Sequence, residues 1–129
     1  MTVSGSDAPE DDAETVAKMT VETLLRCVPA AVPGIVFLSG GLSEDQASSY
    51  LNEMQHFAMT CSNVPWNLSF SFGRALQQSC LREWGGSNEE AGHIALIERA
   101  RANSEASCGL YTSLEGVSNE SLFVSDYKY

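Results

Sequence analysis

Gly34-Ile35-Val36-Phe37-Leu38-Ser39-Gly40-Gly41 is a short apolar run that ends abruptly in a hydroxyl and two glycines. An antiparallel strand with one wet face alternates apolar and polar residues, so this unbroken apolarity predicts a strand buried on both faces of a parallel sheet. Ser39-Gly40-Gly41 then falls in a loop at the carboxyl edge of that sheet. Glycines in such loops let the backbone approach a ligand closely and turn successive N–H groups outward, an arrangement that holds phosphate. A second stretch, Asn67-Leu68-Ser69-Phe70-Ser71-Phe72-Gly73-Arg74, repeats the pattern and ends in a hydroxyl, a glycine and a cation. Two parallel strands of this kind deliver Ser39, Gly40, Gly41, Ser71, Gly73 and Arg74 to one rim, where they are candidate phosphate-binding residues. From spacing alone, the first loop serves a plain strand-to-helix turn as readily as a ligand, and Arg74 serves a solvated helix start.

Helical patterns surround both strands. After the acidic Glu10-Asp11-Asp12, suited to a helix amino terminus, Val16, Met19, Thr20, Leu24 and Val28 recur at helical spacing until Pro29 stops them. Ser43 is placed to cap a helix whose inner face is Ala47, Tyr50, Leu51 and Met54. Leu76, Cys80 and Trp84 recur in a helix beginning at Arg74 and stopped by Gly85-Gly86. Ser87-Asn88-Glu89-Glu90 caps a last helix carrying Ile94, Ile97, Ala100 and Arg101, with Arg99 read as remote from the rim. From Tyr111 to Tyr129 serines and glycine break the periodicity, which predicts a flexible carboxyl-terminal tail with one apolar contact point at Leu122-Phe123-Val124. The order is helix, strand, helix, strand, helix, helix, tail, an alternating α/β arrangement. Two strands leave both sheet edges unpaired, so the sequence reads as part of something larger.

Composition removes several function classes. A formal net charge of −10 over 129 residues opposes non-specific nucleic-acid binding, which needs a basic face to displace counterions. No apolar stretch approaches the roughly 20 residues of a membrane helix, and the first residues lack the pattern of a signal peptide, so a cytoplasmic chain is expected. Cys27, Cys61, Cys80 and Cys108 are widely spaced without a zinc signature, and read as reduced, mostly buried thiols. His56 and His93 have no acidic or cysteine partner close in sequence and are assigned solvent or packing roles. Neither a metal nor a cofactor is called for.

Val28-Pro29-Ala30-Ala31-Val32-Pro33 leading into the first strand, Pro65-Trp66 leading into the second, Trp84-Gly85-Gly86, Arg101-Ala102-Asn103-Ser104 and Asp126-Tyr127-Lys128-Tyr129 together make a specific pattern. The chain resembles the carboxyl-terminal part of a class I fructose-bisphosphate aldolase of plant-like type. The resemblance implies the closing part of a TIM (β/α)8 barrel: the last two strand-helix units, a terminal helix and a tail, incomplete as an isolated chain. Residues 1–110 would be the partial barrel and 111–129 the flexible tail. In such barrels a phosphate site commonly lies on the loops after the seventh and eighth strands, which are the two loops singled out above.

The resemblance also implies a chemistry. In the family, fructose 1,6-bisphosphate is held by these loops while a lysine on the sixth strand forms a Schiff base. Cleavage then yields dihydroxyacetone phosphate and glyceraldehyde 3-phosphate, with the terminal tyrosine, here Tyr129, assisting proton exchange. The family is homotetrameric. One departure stands against this: Lys18 and Lys128 are the only lysines, and neither matches the Schiff-base lysine. Met1-Thr2-Val3 resembles the sequence just beyond it, as though the chain were a truncated piece. Phe72 stands where some members carry tyrosine. The expectation is a phosphate-binding part of an aldolase, inactive alone; the alternative is a non-catalytic fragment that binds sugar phosphates or docks onto an aldolase.

Overall fold

The computed structural model describes residues 1–5, 7–61, 63–113 and 120–126. Elements follow the expected order: α1 (Ala13–Cys27), β1 (Gly34–Phe37), α2 (Glu44–Thr60), β2 (Asn67–Phe70), α3 (Arg74–Trp84) and α4 (Glu89–Ser107). Side chains at the helix starts explain where three of them begin. Asp12 accepts from the Thr15 N–H, Asn88 from the Ala91 N–H, and Ser43 exchanges bonds with Gln46 in a capping box. A cap of this type contributes about 1 kcal/mol. Gly85, with φ of 51°, closes α3 in the left-handed region that glycine enters without steric cost.

β1 and β2 pair in parallel, with Ile35 opposite Leu68 and Phe37 opposite Phe70. Side chains alternate across a strand, so these four share one face, and all four belong to the apolar core with Val21, Leu51, Met54 and Trp66. The opposite face is bare. Val36 is 62% exposed and Leu38 56% exposed, which corrects the expectation of a strand buried on both faces. Continuous apolarity in this stretch marks a face that the described residues leave uncovered.

α4 brings a second correction. Ile94 and Ile97, the large apolar residues of its pattern, point outward at 52% and 68% exposure. Its inner face is made of Gly92, Ala95, Arg99, Ala102, Asn103 and Ala106. Small residues let the two backbones come close: a methyl added at Gly92 would lie 3.0 Å from Trp84 Cβ of α3. α2 matches its expected inner face at Ala47, Tyr50, Leu51 and Met54, and also buries Glu44, Ser48 and Asn52.

The four cysteines are free, as expected, but none is buried; Cys27 and Cys108 are exposed at helix ends and Cys61 and Cys80 are half-buried. His56 does have an acidic neighbour, Glu53 at 3.4 Å one helical turn away. Its Nε2 bonds the Gly109 carbonyl at 2.8 Å. Among the described residues no helix is long and apolar enough to cross a membrane.

Two tyrosines tie α2 to the rest of the chain. The Tyr50 hydroxyl donates to Glu10, and the Tyr111 hydroxyl donates to Asp45 at 2.7 Å while its N–H donates to Asn52. Burial, reinforced by Glu10, pushes the Tyr50 phenol up to about 12. Burial and then Asp45 raise Tyr111 as well, although the nearby Arg99 guanidinium opposes that rise. Below the usual value of 10.0 both folded and unfolded chains keep these protons. Above it the unfolded chain ionises first, so stability falls as pH rises towards the folded-state values. Urea unfolding should therefore show a loss of stability between about pH 9 and about pH 11. The Tyr50→Phe/Tyr111→Phe double variant should lose distinctly less over the same interval.

Candidate functional site

The parallel register carries both glycine loops to the carboxyl end of the strand pair, where the Ser71 N–H donates to the Phe37 carbonyl at 2.8 Å and extends the ladder by one bond. Beyond it the chain turns twice. In the first turn the Ser39 carbonyl accepts from the Leu42 N–H at 3.0 Å, and Gly40 has φ of +57° with open space where a side chain would stand. In the second, Gly73 serves as the α3 cap without a side-chain bond and also faces open space. No acidic residue lies in the first turn of α3. The partial positive charge of that helix end is therefore not offset within its own first turn.

The candidate residues differ in accessibility. Ser39 is only 4% exposed, and its hydroxyl accepts the Ala75 N–H of α3 at 3.4 Å, so it joins the two loops rather than facing outward. Gly40 and Gly41 are half-buried, whereas Ser71 and Gly73 are exposed. Ser39, Gly40 and Gly41 form one wall of a cavity of about 600 Å³, which Met1, Glu10, Tyr50 and Phe123 also line. Ser71, Gly73 and Arg74 are not part of that wall.

Arg74 and Gly41 both bond the backbone of one residue, Leu122. The Arg74 Nη1 donates to the Leu122 carbonyl at 2.5 Å, and the Leu122 N–H donates to the Gly41 carbonyl at 3.0 Å. The Ser121 hydroxyl reaches the same Gly41 oxygen at 3.0 Å. The apolar contact point expected in the carboxyl-terminal segment is thus present at Leu122, which packs against the core, while Phe123 and Val124 remain exposed. A peptide oxygen occupies the guanidinium where an anionic oxygen would bind, and charge-assisted bonds of this type are the stronger class. Tyr129 lies outside the described residues, as does Lys128; Lys18 is exposed on α1. Among the described residues no group of three or more histidine, cysteine or acidic side chains is arranged to hold a metal ion.

Two residues that the sequence does not mark as part of the site lie beneath these loops. Glu44, the first residue of α2, is 1% exposed, and Arg99 of α4 is 3% exposed. Arg99 donates to the Glu44 and Ala75 carbonyls in the first turns of α2 and α3, so it is not remote from the rim. An acidic residue just after a cap and an arginine within an alanine-rich helix gave the only available signal, and both patterns also describe solvated surface.

A family model described as fructose-bisphosphate aldolase class-I matches residues 1–129. The cytoplasmic isozyme 2 of fructose-bisphosphate aldolase from Pisum sativum is 52% identical over the whole chain, which spans 36% of that relative's length. The cytosolic fructose-bisphosphate aldolase 6 of Arabidopsis thaliana is 48% identical, again over all of this chain and 37% of the relative. Among solved structures, fructose-bisphosphate aldolase from Plasmodium falciparum, crystallised with TRAP and a small-molecule inhibitor, superposes with a TM-score of 0.74 at 44% identity. That match covers 82% of this chain and 30% of the other.

A methyl at Gly41 would lie 2.9 Å from Phe123 Cβ and 3.1 Å from its Cα, so the backbone of the crossing segment must move to admit it. Gly41→Ala should release residues 121–123 and raise hydrogen exchange at the Leu122 N–H by about tenfold or more, while global stability changes by less than about 1 kcal/mol. Unchanged exchange at Leu122 would show that the contact does not hold the segment.

Proposed function

The chain belongs to the class-I fructose-bisphosphate aldolase family, and from that premise we propose that it forms the phosphate-holding corner of a (β/α)8 barrel cleaving fructose 1,6-bisphosphate. The observation that supports this reading is that Gly41 and Arg74 both bond the backbone of Leu122, because it puts one residue within reach of both loops. A phosphate at that point would displace the peptide oxygen and take the Arg74 fork. The N–H groups of the Gly40-Gly41 turn and the start of α3, whose Ala75 N–H already bonds Ser39, would supply donors to its remaining oxygens. Ser39 then acts by joining the loops and Ser71 by offering an exposed hydroxyl. The binding requires no proton transfer from these residues, only geometry and charge.

Cleavage is a different matter. The family's reaction needs a Schiff-base lysine, and neither Lys18 nor Lys128 matches it. We assign the chain by itself no aldol-cleavage activity. Production of dihydroxyacetone phosphate and glyceraldehyde 3-phosphate, the use of Tyr129 in proton exchange, tetrameric assembly and cytoplasmic residence belong to the reading of the complete barrel. Within that reading residues 1–110 are the partial barrel and 111–129 the carboxyl-terminal tail, of which 114–119 and 127–129 lie outside the described residues. The curated relatives named as cytoplasmic or cytosolic isozymes support the assignment of compartment.

Two outcomes are expected. Inorganic phosphate should shift the amide resonances of Gly40, Gly41 and Gly73 with an affinity on the order of millimolar, and Arg74→Ala should abolish those shifts. Diffuse attraction to charge would leave them intact in the variant. Separately, borohydride reduction in the presence of dihydroxyacetone phosphate should yield no covalent adduct on the chain. A stoichiometric adduct at Lys18 or Lys128 would overturn the assignment of inactivity and exclude a purely non-catalytic binding fragment.

A further inference from the structure

Each glycine loop runs directly into a helix, so the separation of the two helix starts sets the separation of the two loops. The loop at Ser39-Gly40-Gly41 continues through Ser43 into Glu44, and the loop at Ser71 to Gly73 continues into Arg74 and Ala75. One side chain bonds a carbonyl in both first turns. Arg99 Nη2 donates to the Glu44 carbonyl at 2.7 Å, and Arg99 Nε donates to the Ala75 carbonyl at 3.4 Å. Its Nη2 also reaches Ser48 Oγ at 2.6 Å. The Glu44 carboxylate completes the tie from the other side, accepting from the Ser79 N–H of α3 at 2.9 Å and from the Ser79 hydroxyl.

We propose that Arg99 is a positioning residue for phosphate binding, which through its bonds to Glu44 and Ala75 holds the two glycine loops at the separation one phosphate requires. The proposal rests on the phosphate-site reading above. Arg99 is buried, so it acts through the loops and not by touching the ligand. An anion that contacts both loops senses their spacing, whereas one bound to a single loop does not. Lysine retains the positive charge beside Glu44 but lacks the planar fork that spans both first turns. Asn103 supplies the comparison: its Oδ1 accepts from Ser48 and Arg99 inside the same buried cluster, yet it bonds neither loop nor either first turn.

Inorganic phosphate is titrated into the full chain and its Arg99→Lys and Asn103→Ala variants, with Gly40, Gly41 and Gly73 amides as reporters and urea unfolding in parallel. Arg99→Lys should weaken phosphate binding by about tenfold, the loss expected when a charge-assisted bond no longer sets the geometry. Asn103→Ala should bind within about twofold of the parent despite a comparable loss of stability. If Arg99→Lys does not fold, Glu44→Gln carries the test, because it weakens the tie to Ser79 at nearly constant volume and should also reduce affinity. Parent-like affinity in Arg99→Lys or, where that variant is unfolded, in Glu44→Gln overturns the proposal. Weakening in proportion to lost stability in every variant overturns it too, by making the role merely structural. Absence of phosphate shifts in the parent chain overturns the site reading, and the positioning role with it.

Discussion

A guanidinium buried between three helices is the constraint on which the rest of this structure depends. Removing an arginine and a glutamate from water costs several kcal/mol per ion, and their attraction repays this only when the remaining polar atoms are also satisfied. Arg99 Nε stands 4.0 Å from Glu44 Oε1, so the direct ion contact is loose. The hydrogen bonds do most of the work: backbone oxygens of α2 and α3, a hydroxyl of α2 and an amide of α4 surround the fork. That satisfaction is incomplete, since Arg99 Nη1 and Asn103 Nδ2 are buried among the described residues without a bond. Where Ser43 caps α2 locally, this cluster adds a tertiary tie at the same end, because Glu44 supplies a carbonyl to Arg99 and a carboxylate to Ser79.

The same cluster explains which parts of the fold were legible in the sequence. Caps and stops are local chemistry, so Ser43, Pro29, Asn88 and Gly85-Gly86 give the element order and most of the boundaries. Facing is not local. In α4 the apolar spacing of Ile94 and Ile97 points to one face, yet the helix buries its alanines, because closeness to α3 is worth more there than side-chain bulk. The backbones can approach only over Gly92 and small neighbours, and Arg99 needs that short distance to reach Ala75 and Glu44. In β1, apolar continuity implies cover on both faces; the described residues supply cover only on the side of Ile35 and Phe37. Cys27 and Cys108 were misread for a related reason: apolar character suggests burial, but a residue at a helix end is placed by the turn that follows it.

The site was legible as two loops but not as a connected unit. Ser39, Gly40, Gly41, Ser71, Gly73 and Arg74 are visible because hydroxyl, glycine and cation after an apolar run carry a physical meaning. What joins them comes from residues far away in sequence: Ala75 to Ser39, Leu122 to both Gly41 and Arg74, and Arg99 beneath both helix starts. None of those contacts has a sequence signal of its own, because each is made by backbone atoms or by a side chain whose partner is backbone.

Charge adds a final step. With 7 basic and 17 acidic residues, the chain as a whole repels anions, so long-range attraction cannot bring a phosphate to this rim. Ionic strength settles the balance: at physiological salt, fields between exposed charges fade beyond about 8 Å. Most of the acidic surface is then silent at the rim, whereas a guanidinium in direct contact, backbone N–H groups and a helix start act within the first few ångströms and survive screening. On the phosphate-site reading, selectivity would come from short-range geometry, which is sensitive to the spacing of two loops. On the same reading, Arg99, which bonds the first turns of both helices, is where control of that spacing would act.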